Sequence, residues 1–223
     1  MTAHIEERVV RVTAQAVMLE GNLSMPDDPR CMVLFAHGSG SSRHSPRNRF
    51  VARVLNGAGI ATLLIDLLTP DEEALDMIGG ALRFDIPFLA RRLVSATLWV
   101  KNLPETGDLP FGYFGASTGA AAALVAAERP GDVRAIVSRG GRPDLAGDAL
   151  RGVRAATLLI VGGNDLPVIE FNRAALQVLE CEKEMVIVPG ATHLFEEPGA
   201  LNQVAVLARD WFVRYLVPAP AAA

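Results

Sequence analysis

The chain has 223 residues but only two cysteines, Cys31 and Cys181. That is too few for a disulfide framework. Cys31 opens an apolar run and Cys181 ends a helical pattern, so both read as packed, reduced thiols. Neither sign of charge is in large excess: 21 Lys and Arg oppose 25 Asp and Glu, for a net charge of −4. This balance gives no reason to expect nucleic acid or an anionic membrane as partner. No stretch of about 20 apolar residues is free of charge, so no membrane span is predicted. Met1 to Val12 is charged and lacks a long apolar run, so no signal peptide is expected and a cytoplasmic location follows. Repeats, linkers and domain breaks are also missing. With 50% hydrophobic residues the chain can bury a large core alone, so one α/β domain over residues 1–223 is expected. Residues 218–223 read as a frayed tail.

What the chain does have is an alternation of strand and helix signals. Glu7–Thr13 and Gln15–Asn22 read as an antiparallel edge hairpin, rich in branched residues. Cys31–Ala36 is a continuous apolar run, as expected of a strand covered on both faces, and Ile60–Ile65 repeats it. Further strands are predicted from Phe111, over Val133–Ser138, over Thr157–Val161 and over Met185–Val188. Ser45-Pro46 signals a helix start, with serine as cap and proline at the first position. Phe50, Val51, Val54 and Leu55 share one face of that helix. Residues 69–80 are acidic and predict a loop with a short helix. Asp85 caps a longer helix reaching about Asn102, with Ile86, Leu89, Leu93 and Leu98 as its apolar stripe. Helical segments are also expected over 145–151, 168–179 and about 198–216. The alternation argues for a mostly parallel, doubly wound sheet behind an N-terminal antiparallel hairpin. Ligands of such sheets sit beyond the carboxyl ends of the strands.

One stretch organises the rest: Gly115-Ala116-Ser117-Thr118-Gly119, between a buried strand and an alanine-rich helix. Gly-x-Ser-x-Gly in that context is a nucleophile elbow, a sharp turn that lifts the serine hydroxyl above the sheet. A serine hydroxyl needs a neighbouring base to take its proton. Of the four histidines, His4 lies in the N-terminal arm, His37 reads as structural and His44 sits in a loop. His193 follows the last strand, over the edge where Ser117 is presented, and is the expected base. Asp165 follows the penultimate strand and is the expected carboxylate for the far imidazole nitrogen, with Asp144 as the alternative. A developing oxyanion needs donors. The Thr118 N–H should be one, and the Ser39 N–H in His37-Gly38-Ser39-Gly40 the other.

In this order, these residues resemble the α/β-hydrolase superfamily along nearly the whole chain. The small size and the lack of a lid look like the dienelactone hydrolase-related group within it. The resemblance rests on His37-Gly38-Ser39-Gly40, Gly115 to Gly119, Asp165 and His193-Leu194-Phe195. Dienelactone hydrolases proper use a cysteine nucleophile, whereas position 117 is serine, which shifts the expectation towards a general carboxylesterase. The resemblance implies Ser117, Asp165 and His193 as catalytic positions, and no metal or organic cofactor. Only Arg139–Ala156 separates the strand after the elbow helix from the next strand. That is too short for a lid domain, so an open site is expected. The expected activity is hydrolysis of a small carboxylic ester, which includes lactones. Thioester or amide hydrolysis and acyl transfer use the same parts. A non-catalytic binding protein on the same fold is the competing class, and monomer and dimer both stay open.

Charge adds one expectation. Arg43, His44, Arg47 and Arg49 follow the Cys31–Ala36 strand, and Arg139 and Arg142 follow the Val133–Ser138 strand. Both loops should border Ser117. Guanidinium groups grip carboxylate or phosphate in a fixed fork. Arg43, Arg139 and Arg142 are therefore candidate contacts for an anionic group on the substrate. The competing expectation is that these arginines are solvated or paired with Asp66, Asp71, Glu72 or Asp85.

Overall fold

The computed structural model describes residues 4–128 and 133–217, so the expected tail at 218–223 lies outside the described residues. In chain order the elements are β1 (Ile5–Ala14), β2 (Val17–Pro26), β3 (Cys31–Ala36), α1 (Pro46–Asn56), β4 (Ile60–Ile65), α2 (Pro70–Gly79) and α3 (Ile86–Lys101). Then follow β5 (Phe111–Ala116), α4 (Thr118–Ala126), β6 (Val133–Arg139), β7 (Ala156–Gly162), α5 (Leu166–Val178), β8 (Lys183–Val188) and α6 (Ala200–Leu216). The central strands form where apolar residues dominate, and the edge strands β1 and β8 also carry charged residues. β3, β4, β5 and β7 are buried at every position.

The eight strands form one sheet in the order β1-β2-β4-β3-β5-β6-β7-β8. β2 is antiparallel to both its neighbours, and the pairs from β4 across to β8 are parallel. The hairpin is longer than its branched residues suggested, pairing Ile5 with Pro26 at one end and Ala14 with Val17 at the other. Helices cover both faces. α1 and α6 pack over Phe35, Phe114 and Val137; α3 and α4 pack over Leu34, Tyr113 and Ile136. α4 is able to lie close because Ala120 to Ala123 present only methyl groups, all of them buried.

Two local expectations need correction. Residues 69–80 hold a full helix, because Thr69 and Glu72 form a reciprocal capping box around Pro70. Leu98 does not belong to the apolar stripe of α3: it is 57% exposed. The buried stripe is Ile86, Leu89, Leu93, Ala96 and Val100, and a residue five beyond Leu93 is turned about 140° away from it. Between β6 and β7 the chain makes 3-10 turns over Pro143–Gly152, broken at Gly147, and builds no cap over the sheet. The parallel strands thus bring the ends of β3 to β8 to one edge.

Candidate active site

The elbow is built by close approach. A Cβ on Gly119 would sit 2.2 Å from the Ala36 carbonyl oxygen and 2.4 Å from that of His37. One on Gly115 would sit 2.4 Å from the Ala120 Cα. Only glycine fits at either place, and so β5 can turn directly into α4. Ser117 sits at the turn with φ 51° and ψ −120°, a sparsely populated conformation for a side-chain residue that costs about 1–3 kcal/mol. The surroundings hold it there. Its N–H donates to the Arg139 carbonyl at 3.2 Å, and its own carbonyl accepts from Ala120 N and Arg142 N at 3.1 Å each.

His193 and Asp165 come from neighbouring strand ends, β8 and β7. The His193 Nδ1 lies 2.6 Å from Asp165 Oδ2. Asp165 is the more buried partner, with 13% of its side chain exposed against 38% for His193. The ring packs against Gly140: a Cβ there would stand 3.5 Å from both Nδ1 and Cε1 of His193. Gly140 follows Arg139, which pairs in register with Ala116 just before the serine. The imidazole therefore hangs over the strand beside the elbow. Its loop is pinned on the far side. Phe195 is buried at φ 55°, and the Thr192 hydroxyl donates to Glu197 Oε1 at 2.6 Å. That hydrogen bond, with further backbone donors, holds the Glu197 carboxyl below its usual range. Gly140, Thr192 and Glu197 were not singled out in the sequence, although the Gly140-Gly141 pair at a strand end is a usable signal.

The residues expected to bind an oxyanion also meet. Gly38 passes so close that a Cβ on it would lie 3.0 Å from the Ser117 Cβ. The Ser39 N–H donates to the Thr118 hydroxyl at 2.9 Å. His37 holds the loop. Its Nε2 accepts from the Leu67 N–H at 3.2 Å, so Nδ1 carries the proton and donates to the Gly38 carbonyl at 2.9 Å. A cavity of about 280 Å³ opens beside Ser39 and Thr118, lined also by Leu67, Leu89 and, from α2, Met77.

The arginines part company. Arg43 is enclosed by carboxylates: its N–H donates to Asp66 Oδ1 at 2.6 Å, its Nη2 reaches Glu20 at 2.6 Å, and its Nη1 also bonds Asp66. Arg142 grips Asp144 with two bonds, at 2.9 and 2.7 Å, and that pairing raises its pKa. The same grip occupies Asp144, the alternative acid. Neither Arg43 nor Arg142 presents a free fork, because each found a carboxylate in its own neighbourhood. Arg139 has no such partner. It is 8% exposed, and its Nε and Nη1 lack an acceptor among the described residues. Among the described residues no group of three His, Cys, Asp or Glu could hold a metal ion, and no helix is long and apolar enough to cross a membrane.

This arrangement can be set beside known proteins. A dienelactone hydrolase from Anabaena variabilis, solved as a crystal structure, is 60% identical over 95% of this chain and 99% of that one, with a TM-score of 0.93. The chain belongs to the dienelactone hydrolase family. No protein-family model matches it. Two curated Mycobacterium tuberculosis proteins, provisionally named phosphoribosyl transferases, are 59% identical over 213 residues. The match covers 95% of this chain but 47% of theirs, so the chain spans about half the length of those relatives. Est1E from Butyrivibrio proteoclasticus shares the fold, with a TM-score of 0.77 at 15% identity over 92% of this chain and 98% of that one.

Proposed function

We propose that this family member is a serine hydrolase that cleaves a small carboxylic ester through an acyl-enzyme. The observation that carries the reading is the strained Ser117, lifted at the elbow beside the rim where Asp165 holds the His193 imidazole at 2.6 Å. In this reading Ser117 Oγ attacks the ester carbonyl while His193 Nε2 takes its proton. Asp165 fixes the tautomer and stabilises the charged ring. The same proton then goes to the departing alcohol, leaving an acyl-serine. Water, deprotonated by His193, releases the acid and restores the serine.

The oxyanion takes the N–H groups of Thr118 and Ser39. In the free protein the Thr118 hydroxyl accepts from Ser39 N–H at 2.9 Å, which keeps that donor satisfied until a carbonyl oxygen arrives. The cavity beside Ser39 and Thr118 gives one arm of the substrate a partly apolar berth. Lactones are esters and fit the same scheme, as do thioesters and small amides. Phosphoribosyl transfer, named for the longer relatives, has less support here, because an activated serine at an elbow serves attack on a carbonyl.

Ser117→Ala should lower turnover of a p-nitrophenyl ester by on the order of 10⁴ or more, with an unchanged melting temperature. Labelling by a fluorophosphonate should vanish in the same variant. Turnover that survives the substitution would move the nucleophile elsewhere.

A further inference from the structure

A charge buried without a partner is costly, so it needs a reason. Arg139 ends β6 beneath the first turn of α1. Its Nη2 donates to Asn48 Oδ1 at 3.4 Å, a long bond to a neutral group. Its Nε and Nη1 are buried and unpartnered among the described residues. The charge that acts on it is another cation. Burial, and then Arg47 beside it, push its pKa down to about 10, so it is still charged at neutral pH. The Nε of Arg47 is likewise buried and unpartnered. Its Nη1 bonds Glu196 at 3.1 Å, but that carboxylate is 64% exposed and well screened by water. Arg47 and Asn48 lie in the first turn of α1, which contains no acidic residue. A helix of eleven residues presents the positive end of its dipole there.

Two guanidiniums and a helix N-terminus thus lie near two carboxylates, Glu196, which bonds Arg47, and Glu197, which lines the same cavity as Arg47 but accepts from Thr192, and neither is bonded to Arg139. The place is beside the chemistry. The Arg139 carbonyl accepts from the Ser117 N–H at 3.2 Å, and the next residue, Gly140, carries the His193 ring. We infer that Arg139, Arg47 and the N-terminus of α1 form a phosphate-binding subsite, and that the ester cleaved at Ser117 carries a phosphate group. Charge selects phosphate. Among the described residues Arg139 has no carboxylate of its own, and a phosphate monoester carries about −1.5 to −2 at neutral pH, against −1 for a carboxylate. Its terminal oxygens are strong acceptors for N–H groups that Arg139 and Arg47 leave unpartnered. Only the substrate half of this inference rests on the esterase reading; the subsite stands on the arginines alone.

The test has two arms. In the first, inorganic phosphate is titrated into the Ser117→Ala protein by calorimetry at constant ionic strength. Saturable binding is expected, at least about tenfold weaker in Arg139→Gln and in Arg47→Gln. Absence of saturable binding, binding by both variants as tight as that of the Ser117→Ala parent, or acetate binding as tightly as phosphate would overturn the subsite. If Arg139→Gln does not fold, Arg47→Gln, at a partly exposed position, decides. In the second arm, active protein is given 2-(butyryloxy)ethyl phosphate and its unphosphorylated counterpart. A kcat/KM preference of about tenfold or more for the phosphorylated ester is expected, abolished in Arg47→Gln. Equal turnover of both esters would remove the substrate claim and leave the esterase standing. Phosphate binding with no turnover of either ester would keep the subsite and sink the esterase.

Discussion

The two flanks of Ser117 treat buried charge in opposite ways. On the flank of α2, each buried ion has its counter-ion. Asp76 is 3% exposed and its carboxylate accepts from Leu82 N at 2.6 Å and from Arg83 Nε at 2.5 Å. Arg92 is 4% exposed, and its Nη2 meets Glu72 Oε1 at 2.6 Å. On the flank of α1, Arg139 is also buried, at 8% exposure, and meets only Asn48 and another arginine. Paired burial is how a fold holds a surface helix such as α2, whose residues Leu75, Met77 and Ile78 are all exposed. Unpaired burial holds nothing. It stores a demand for an anion.

The contrast breaks most visibly through Glu72. Removing one partner of a buried pair leaves the other charge stranded. Glu72→Ala strands Arg92 and also deletes the capping box, since Glu72 Oε2 accepts from Thr69 N at 2.8 Å. A loss of about 3 kcal/mol is expected, read from urea unfolding. Asp76 makes the same point through pH. Burial works to raise its carboxyl pKa, but the Arg83 guanidinium and two backbone N–H groups outweigh it and hold the pKa below 3.8. A carboxyl depressed on folding stabilises above its unfolded pKa, and the gain is lost as pH falls through the folded value. Asp76→Asn should therefore be less stable than the parent at pH 7, and the gap should narrow below about pH 4. A gap that stayed constant down to pH 2 would mean that the ionised form is not what matters.

On the other flank the sign reverses. Replacing an unpaired buried cation by an apolar side chain of similar length is neutral or stabilising. Arg139→Met, measured without phosphate, should gain about 1 kcal/mol, at the low end because Asn48 also loses a contact. A clear loss of stability would place Arg139 with the structural pairs.

Much of this frame was legible in the sequence, for physical reasons. The limits of β3 and β4 coincide with almost wholly apolar runs, because a strand covered on both faces takes a polar side chain only where it is hydrogen-bonded, as Thr62 is to Asn56. The elbow was legible because two glycines and a run of alanines are the residues that let backbone approach backbone. Ser45 and Asp85 cap α1 and α3 as expected, since a cap is a local bond. Partnership was not legible. Arg43 finds Glu20 and Asp66, and Arg47 finds Glu196, across as many as 149 residues. Sequence ranked Arg43, Arg139 and Arg142 alike, as fork-shaped cations after strands. Only the folded distances separate the two that are neutralised from the one that is not. The Thr118 hydroxyl facing the Ser39 N–H was hidden for the same reason, with 79 residues between them.

Arg142 sharpens the contrast most finely. It lies three residues beyond Arg139, in the loop that follows β6, but it is bound in two places to Asp144 and stacked 4.6 Å from the Phe171 ring centre. About a third of its side chain is exposed, so water screens the pair. Arg142→Gln should then cost about 0.5 kcal/mol and leave the preference between phosphorylated and neutral esters unchanged. Equal losses of preference in Arg142→Gln and Arg47→Gln would say that net loop charge, rather than a missing counter-ion, draws the anion. In that case burial would no longer distinguish one arginine of this rim from another.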